Sequence, residues 1–249
     1  MRLHTSTVPA LTIGLILLVA QAWAGQAQLL SDPDIRVQIE QRLAGRDFSD
    51  VTVRVNRGTV SLTGTVLTVW AKARAYQEAR RIAGVRFVRS SVSVRREGSD
   101  EAVALEVQRR ILDYAFYTIY DNIEVDVQDG RVTLTGHVIA DAKSQAIVEV
   151  AARVTGVVEV HNMVRQLVAS PLDENIRDEI AGLIYTHPVF RDYPVELPAP
   201  IHIIVERRRV TLIGVTRSAL ELEIAERIAR LVAGVVSVET RLNRHGWTS

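Results

Sequence analysis

The chain contains no cysteine. Disulfide bonds, thiolate metal sites and a thiol nucleophile are thereby excluded, and so is a lipid attached to a cysteine after a signal. Aromatic residues make up only 5% of the 249 positions, so any core must be built mainly from aliphatic side chains. An excess of one charge is lacking too: 30 Lys and Arg stand against 29 Asp and Glu. General nucleic-acid binding requires a clear basic excess, so no nucleic-acid partner is expected. Long apolar runs are reduced to one, Leu11–Ala20 (LTIGLILLVA), which is too short to span a bilayer well. Arg2 precedes this run, and Ala22-Trp23-Ala24 follows it with the A-x-A form of a signal-peptidase site. The expectation is a signal peptide over residues 1–24, cleaved after Ala24, and a periplasmic protein. The alternative is a retained anchor, with the run extended to Trp23.

Recognisable catalytic patterns are also missing. The six histidines stand at 4, 137, 161, 187, 202 and 245, and no two are four residues apart on a helix. There is no G-x-S-x-G, no phosphate loop and no dinucleotide fingerprint. Glu124 and Asp126 share one face of a strand, where a solvated acidic surface is the simplest reading. The sequence therefore predicts no enzyme, no cofactor and no metal.

What the chain has in abundance is repetition. GTVSLTGTV at 58–66, GRVTLTGHV at 130–138 and RRVTLIGVT at 208–216 can be overlaid. Each carries a glycine with a second glycine twenty positions on: Gly64 and Gly84, Gly136 and Gly156, Gly214 and Gly234. The second glycine is always followed by valine. Three modules follow, over 32–95, 101–168 and 172–243, joined by the short linkers 96–100 and 169–171. The third is longer by a segment within His187–Pro200 that holds four prolines. Proline suits neither a helix interior nor a central strand, so an extended loop is expected.

Each module reads helix, strand, strand, helix, strand. First helices are expected at Pro33–Leu43, Ala102–Tyr117 and Asp173–Tyr185. Strand pairs alternate with period two, as in Val51, Val53, Val55 and Val60, Leu62, which buries one sheet face. Arg57-Gly58 and Asp129-Gly130 suit tight hairpins. Arg207-Arg208 does not, so the third turn is expected to be of another type or longer. Second helices are expected at Val69–Ala83, Asp141–Thr155 and Ser218–Ala233, with Gly84, Gly156 and Gly234 as left-handed C-terminal caps. The fold class is α+β: three tandem two-layer sandwiches, each with two helices on one face of a three-stranded sheet.

The G-x-V-x-L-x-G-x-V strand, the helix after it and the Gly-Val before the last strand resemble the BON domain, three times over. The third copy departs from the pattern at Arg208 and in the proline-rich insertion. The resemblance implies a non-enzymatic envelope protein like the periplasmic OsmY-like proteins, linked to osmotic or envelope stress and to phospholipid surfaces. It implies structural, not catalytic, glycines.

The modules differ in charge. Residues 32–98 hold 13 basic and 7 acidic residues (net +6), residues 99–168 hold 6 and 11 (net −5), and residues 169–249 hold 10 and 11 (net −1). A basic module suggests an anionic surface or docking onto the acidic neighbour. On the second helix of module 1, Trp70, Arg74, Gln77 and Arg81 form one stripe, with Leu67 just before it. Leu67, Trp70, Arg74 and Arg81 are the candidate contact with anionic phospholipid. In module 3 the same stripe holds Leu220, Ile224, Arg227 and Leu231. Leu220, Ile224 and Leu231 are the candidate interface for a protein partner or for self-association.

Overall fold

The computed structural model describes residues 30–193 and 200–244. The expected signal segment lies outside them, as do residues 194–199 of the proline-rich piece. Module 1 runs α1 (Asp32–Arg42), β1 (Val51–Asn56), β2 (Thr59–Val66), α2 (Val69–Arg80), β3 (Phe87–Val94). Module 2 runs α3 (Asp100–Leu112), β4 (Asn122–Gln128), β5 (Arg131–Val138), α4 (Asp141–Ala152), β6 (Glu159–Asn162), β7 (Arg165–Gln166). Module 3 runs α5 (Pro171–Thr186), β8 (Ile201–Glu206), β9 (Arg209–Thr216), α6 (Ala219–Leu231), β10 (Ser237–Arg244). In each sheet the middle strand pairs antiparallel with the first and parallel with the last. Leu62, Leu134 and Leu212 sit on these central strands with no solvent exposure. Alanines at 71, 75 and 79, at 151, and at 225 and 229 are equally buried, and their small side chains let the second helix lie close to the sheet. The α+β reading holds in all three modules.

Serine or threonine starts five of the six α-helices among the described residues. The side chains of Ser31, Thr68, Ser99, Ser170 and Ser218 accept a backbone N–H from the first turn, the common device for an N-terminus with unpaired donors. The first helix of each module also reaches across to the first hairpin. Asp32 accepts the N–H groups of Arg57 and Gly58 at 2.6 and 2.9 Å. Asp100 accepts those of Asp129 and Gly130 at 2.8 and 2.9 Å. Asp173, itself buried, accepts those of Arg207 and Arg208, both at 2.8 Å. From the other side, the N–H of Arg86, Val158 and Val236 donates to the carbonyl of Gly58, Gly130 and Arg208 at 2.8–2.9 Å. The hairpin tip is thus held between the first helix and the last strand.

This clamp corrects the expectation for the third turn. Arg207 and Arg208 have φ of 52° and 63°, matching Arg57 and Gly58 at 49° and 73°. The turn keeps its type without glycine because the Asp173 carboxylate fixes both N–H groups in the left-handed arrangement. Three other expectations shift. Helix α3 ends at Leu112 rather than Tyr117, with Asp113 as its cap, and residues 114–121 turn toward module 3. The second helices end two or three residues early. Gly84, Gly156 and Gly234 do have positive φ, at 87°, 92° and 90°, but they stand in the turn beyond the cap. There a Cβ on Gly84 would lie 3.1 Å from Ile35 Cδ1, while the Gly84 carbonyl approaches Gly58. Gly64, Gly136 and Gly214 serve differently: a Cβ on each would collide with the carbonyl oxygen of Asp50, Asn122 or Pro200. The described start of the insertion forms a 3-10 helix, Pro188–Phe190, rather than an extended loop.

One repeated core position escaped the sequence reading. Phe48, Tyr117 and Phe190 are buried between the first helix and the first strand of their modules. Phe190 packs edge-on against Tyr193, with ring centroids 5.3 Å apart. The Tyr193 hydroxyl donates to Glu221 at 2.7 Å, at the start of α6. Burial and this hydrogen bond to a carboxylate push the Tyr193 hydroxyl up to about 12.

The clamp yields a paired prediction. Arg208→Gly relieves a left-handed residue and should raise stability by about 1 kcal/mol. Asp173→Ala leaves two turn N–H groups without their acceptor and should lower it by about 1–3 kcal/mol. Urea denaturation of both variants checks this, and an unchanged midpoint for either would show that the turn is not held as described.

Candidate functional site

Among the described residues, no group of three or more His, Asp or Glu could hold a metal ion, and no helix is long and apolar enough to cross a membrane. The features that distinguish the modules lie where they meet and on the faces they leave open.

Module 1 meets module 2 through α2 and α4. Val69 packs at the edge of the module 2 core. The Trp70 ring, half-buried on its own core, lies between two guanidinium groups: Arg74 at 4.9 Å and Arg153 of module 2 at 4.3 Å. The linker adds Arg96, whose guanidinium reaches Asp100 at 3.3 Å and Asp129 at 3.1 Å, on the module 2 clamp. Hydrogen bonds from the Gly130 and Asp129 backbone, with Arg96 in support, hold the Asp100 carboxyl below the usual carboxylate range.

Module 2 meets module 3 through the sheets. The N–H of Ile203, on the edge strand β8, donates to the carbonyl of Ile119 at 2.8 Å. Tyr120 donates to Asp178 at 2.7 Å, and burial followed by that carboxylate raises its hydroxyl well above its usual range. The segment that makes these contacts is fixed by Asp121, which is fully buried. Its carboxylate accepts the N–H groups of Thr118 and Ile139 and the Lys143 ammonium at 2.7 Å. His202 and Ile204, on the otherwise open face of β8, are buried here. They face module 2 across a cleft of about 360 Å³ lined by Ile111, Tyr117, Ile123 and Ile213, and a second one lined by Glu124, His137 and Arg241. The Tyr117 and His202 rings are 5.7 Å apart, and His202 Nδ1 has no hydrogen-bond partner among the described residues.

Of the sequence candidates for lipid contact, Leu67, Arg74 and Arg81 are exposed. Arg81 pairs with Glu78 at 3.3 Å, Arg74 lies over Trp70, and Trp70 is a joint between modules. Of the candidates for a protein interface, Leu220 is 60% and Leu231 78% exposed, while Ile224 is half-buried against its own core. The sequence reading missed Phe87, which is 70% exposed at the start of β3.

Burial places His202 below its ordinary value of 6.5, with the Asp121 and Thr118 backbone and the Asp121 charge pulling the other way. The unfolded chain therefore takes up the proton first. The stability that neutral His202 supports is complete above pH 6.5 and is lost as pH falls from there through the folded-state value. His202→Phe should narrow the difference in melting temperature between pH 7.5 and pH 5. An unaltered difference would remove His202 from the account.

No curated protein sequence matches the chain. Among solved structures, it is similar to the C-terminal domain of CdsD, a structural protein of the type III secretion system of Chlamydia trachomatis. The identity is 16% over 86% of this chain and 100% of that one, with a TM-score of 0.25. A second structure of CdsD aligns at 15% identity over 85% of this chain and 93% of that one, with a TM-score of 0.23. Neither likeness bears on function. The profile of the BON domain matches residues 31–96, 99–167 and 173–243, the segments that carry the three clamped hairpins. The chain belongs to the BON-domain family, with three copies in tandem.

Proposed function

We propose that this protein is a non-enzymatic, exported envelope protein that binds an anionic phospholipid surface through module 1 under envelope or osmotic stress. The observation that carries this reading is how module 1 uses its cations. Of the 13 basic residues in 32–98, module 1 with its linker, only Arg36, Arg42, Arg81, Arg95 and Arg96 pair with a carboxylate among the described residues. In module 2, by contrast, four of the six basic residues are ion-paired: Arg109, Arg110, Arg131 and Lys143. Module 1 thus presents uncompensated positive charge, and each basic residue near an anionic leaflet contributes about 1 kcal/mol of attraction. Periplasmic location and the stress role come from family membership and from the signal-like start of the sequence.

A second reading is a scaffold or holdase working through α6. It is favoured by Leu220 and Leu231, which stand exposed on a helix whose opposite side is already in the core. An apolar contact of that kind resists salt, whereas attraction to anionic lipid is screened by it.

Co-sedimentation of the mature protein with vesicles separates the two. Binding to phosphatidylglycerol-containing vesicles, absent on phosphatidylcholine alone and weakened at least tenfold between 50 and 500 mM salt (roughly the span over which screening becomes strong), is the expected result. Salt-insensitive self-association without vesicle binding would favour the scaffold.

A further inference from the structure

We infer that the lipid contact is the hairpin end of the module 1 sheet, with Phe87 as its apolar anchor and Arg54, Arg57, Arg86 and Arg89 as its cationic rim. This inference rests on the reading of module 1 as the lipid-binding module and locates the contact within it.

The placement follows from strand register. Val88 and Val92 of β3 point toward the core, so Phe87, Arg89, Ser91 and Ser93 face the other way. Arg54 of β1 pairs with Ser61 of β2, and Ser61 pairs with Arg89 of β3. Two guanidinium groups therefore flank one hydroxyl in a single row, about 10 Å apart at the strand spacing. In the next row, Asn56 pairs with Thr59 and Thr59 with Phe87. The turn between these strands is Arg57-Gly58. The Arg86 N–H donates to the Gly58 carbonyl at 2.8 Å, which ties the residue before Phe87 to that turn.

All four arginines are exposed. None pairs with a carboxylate among the described residues, and the nearby Asp32 is already engaged with the turn N–H groups. An exposed aromatic side chain on the edge strand, beside unpaired guanidinium groups, matches a layer of anionic headgroups over an acyl region. A soluble acidic protein would satisfy the arginines but gives no reason for a phenyl ring 70% exposed beside them.

The other modules lack this arrangement at the same register positions. Phe87 corresponds to Glu159 and Ser237, Arg54 to Asp126 and Ile204, and Arg89 to His161 and Glu239. In module 3 the corresponding face is occupied: Ile204 is buried against module 2. Among the described residues, only module 1 has this combination on an uncovered face. The α2 stripe is a weaker candidate because Trp70 and Arg74 are engaged at the joint with module 2 and Arg81 is paired with Glu78.

The test uses the full mature chain and vesicles with and without phosphatidylglycerol. Arg54→Gln/Arg89→Gln should weaken binding about 25-fold, at about fivefold per charge removed. Arg36→Gln/Arg42→Gln removes two charges from α1, and should cost less than threefold if the sheet end makes the contact. Circular dichroism and the melting temperature verify folding of each variant. Because the chain has no cysteine, Phe87→Cys can carry a single environment-sensitive fluorophore. Its emission should shift to the blue on anionic vesicles, whereas the same label at Ser237→Cys should not move. Equal losses from both arginine pairs, or an unmoved label at position 87 in a protein that still binds vesicles, would overturn the location and leave the lipid reading standing. No vesicle binding by the unaltered protein would overturn both.

Discussion

Each module depends on one carboxylate. Asp32, Asp100 and Asp173 leave the first turn of a helix and accept the two N–H groups of a hairpin turn. Those N–H groups stand in a left-handed backbone arrangement, where donors project to one side and attract an anion. The carbonyl of the same turn holds the entry of the last strand. Helix, hairpin and final strand are therefore fixed at one point, and the sheet behind it can vary its exposed face without loss of the fold. The third module shows how strong the constraint is: it holds two arginines in a conformation that usually requires glycine.

With the scaffold fixed this way, the open sheet faces have diverged in chemistry. In module 3 the face is apolar at Ile204 and Ile213 and mates with module 2 around His202 and Tyr117. In module 2 it carries the acidic residues Glu124 and Asp126. In module 1 it carries hydroxyls and arginines, and Phe87 stands at its edge. The joints are equally unlike. Modules 1 and 2 join helix to helix through Trp70 and Arg153, a cation–ring contact of roughly 0.5–2 kcal/mol, with Arg74 of the same helix also over the ring. Modules 2 and 3 join through edge strand, buried aspartate and sheet face. Modules 2 and 3 thus cover part of one another's sheets, around Asn122, His202 and Ile204, while among the described residues nothing covers the sheet of the first.

Much of this was legible in the sequence, for identifiable reasons. Alternating valines and the twenty-residue glycine spacing report local geometry, and local geometry repeats. The clamp was not legible, because the separation from aspartate to turn varies with the length of the segment between α1 and β1, α3 and β4, or α5 and β8. The third hairpin was misjudged for the same reason: its backbone is dictated by Asp173, far away in sequence. The aromatic slot of Phe48, Tyr117 and Phe190 was hidden by its irregular surroundings, which have no period to read. Trp70 was singled out as a candidate lipid contact, and its second cation, Arg153, could not be read because it lies in another module. Phe87 was passed over because the other two copies carry Glu159 and Ser237 at its position, so no shared pattern marks it.

The central claim is that one end of one sheet faces the membrane while the other sheets face each other. Hydrogen–deuterium exchange of the full chain, with and without phosphatidylglycerol vesicles, tests it most directly. The account predicts added protection confined to residues 52–61 and 86–93 of module 1, with the junction of modules 2 and 3 already slow to exchange in the lipid-free protein. Protection concentrated on α6, or an unprotected junction between β8 and residues 117–122, would contradict it.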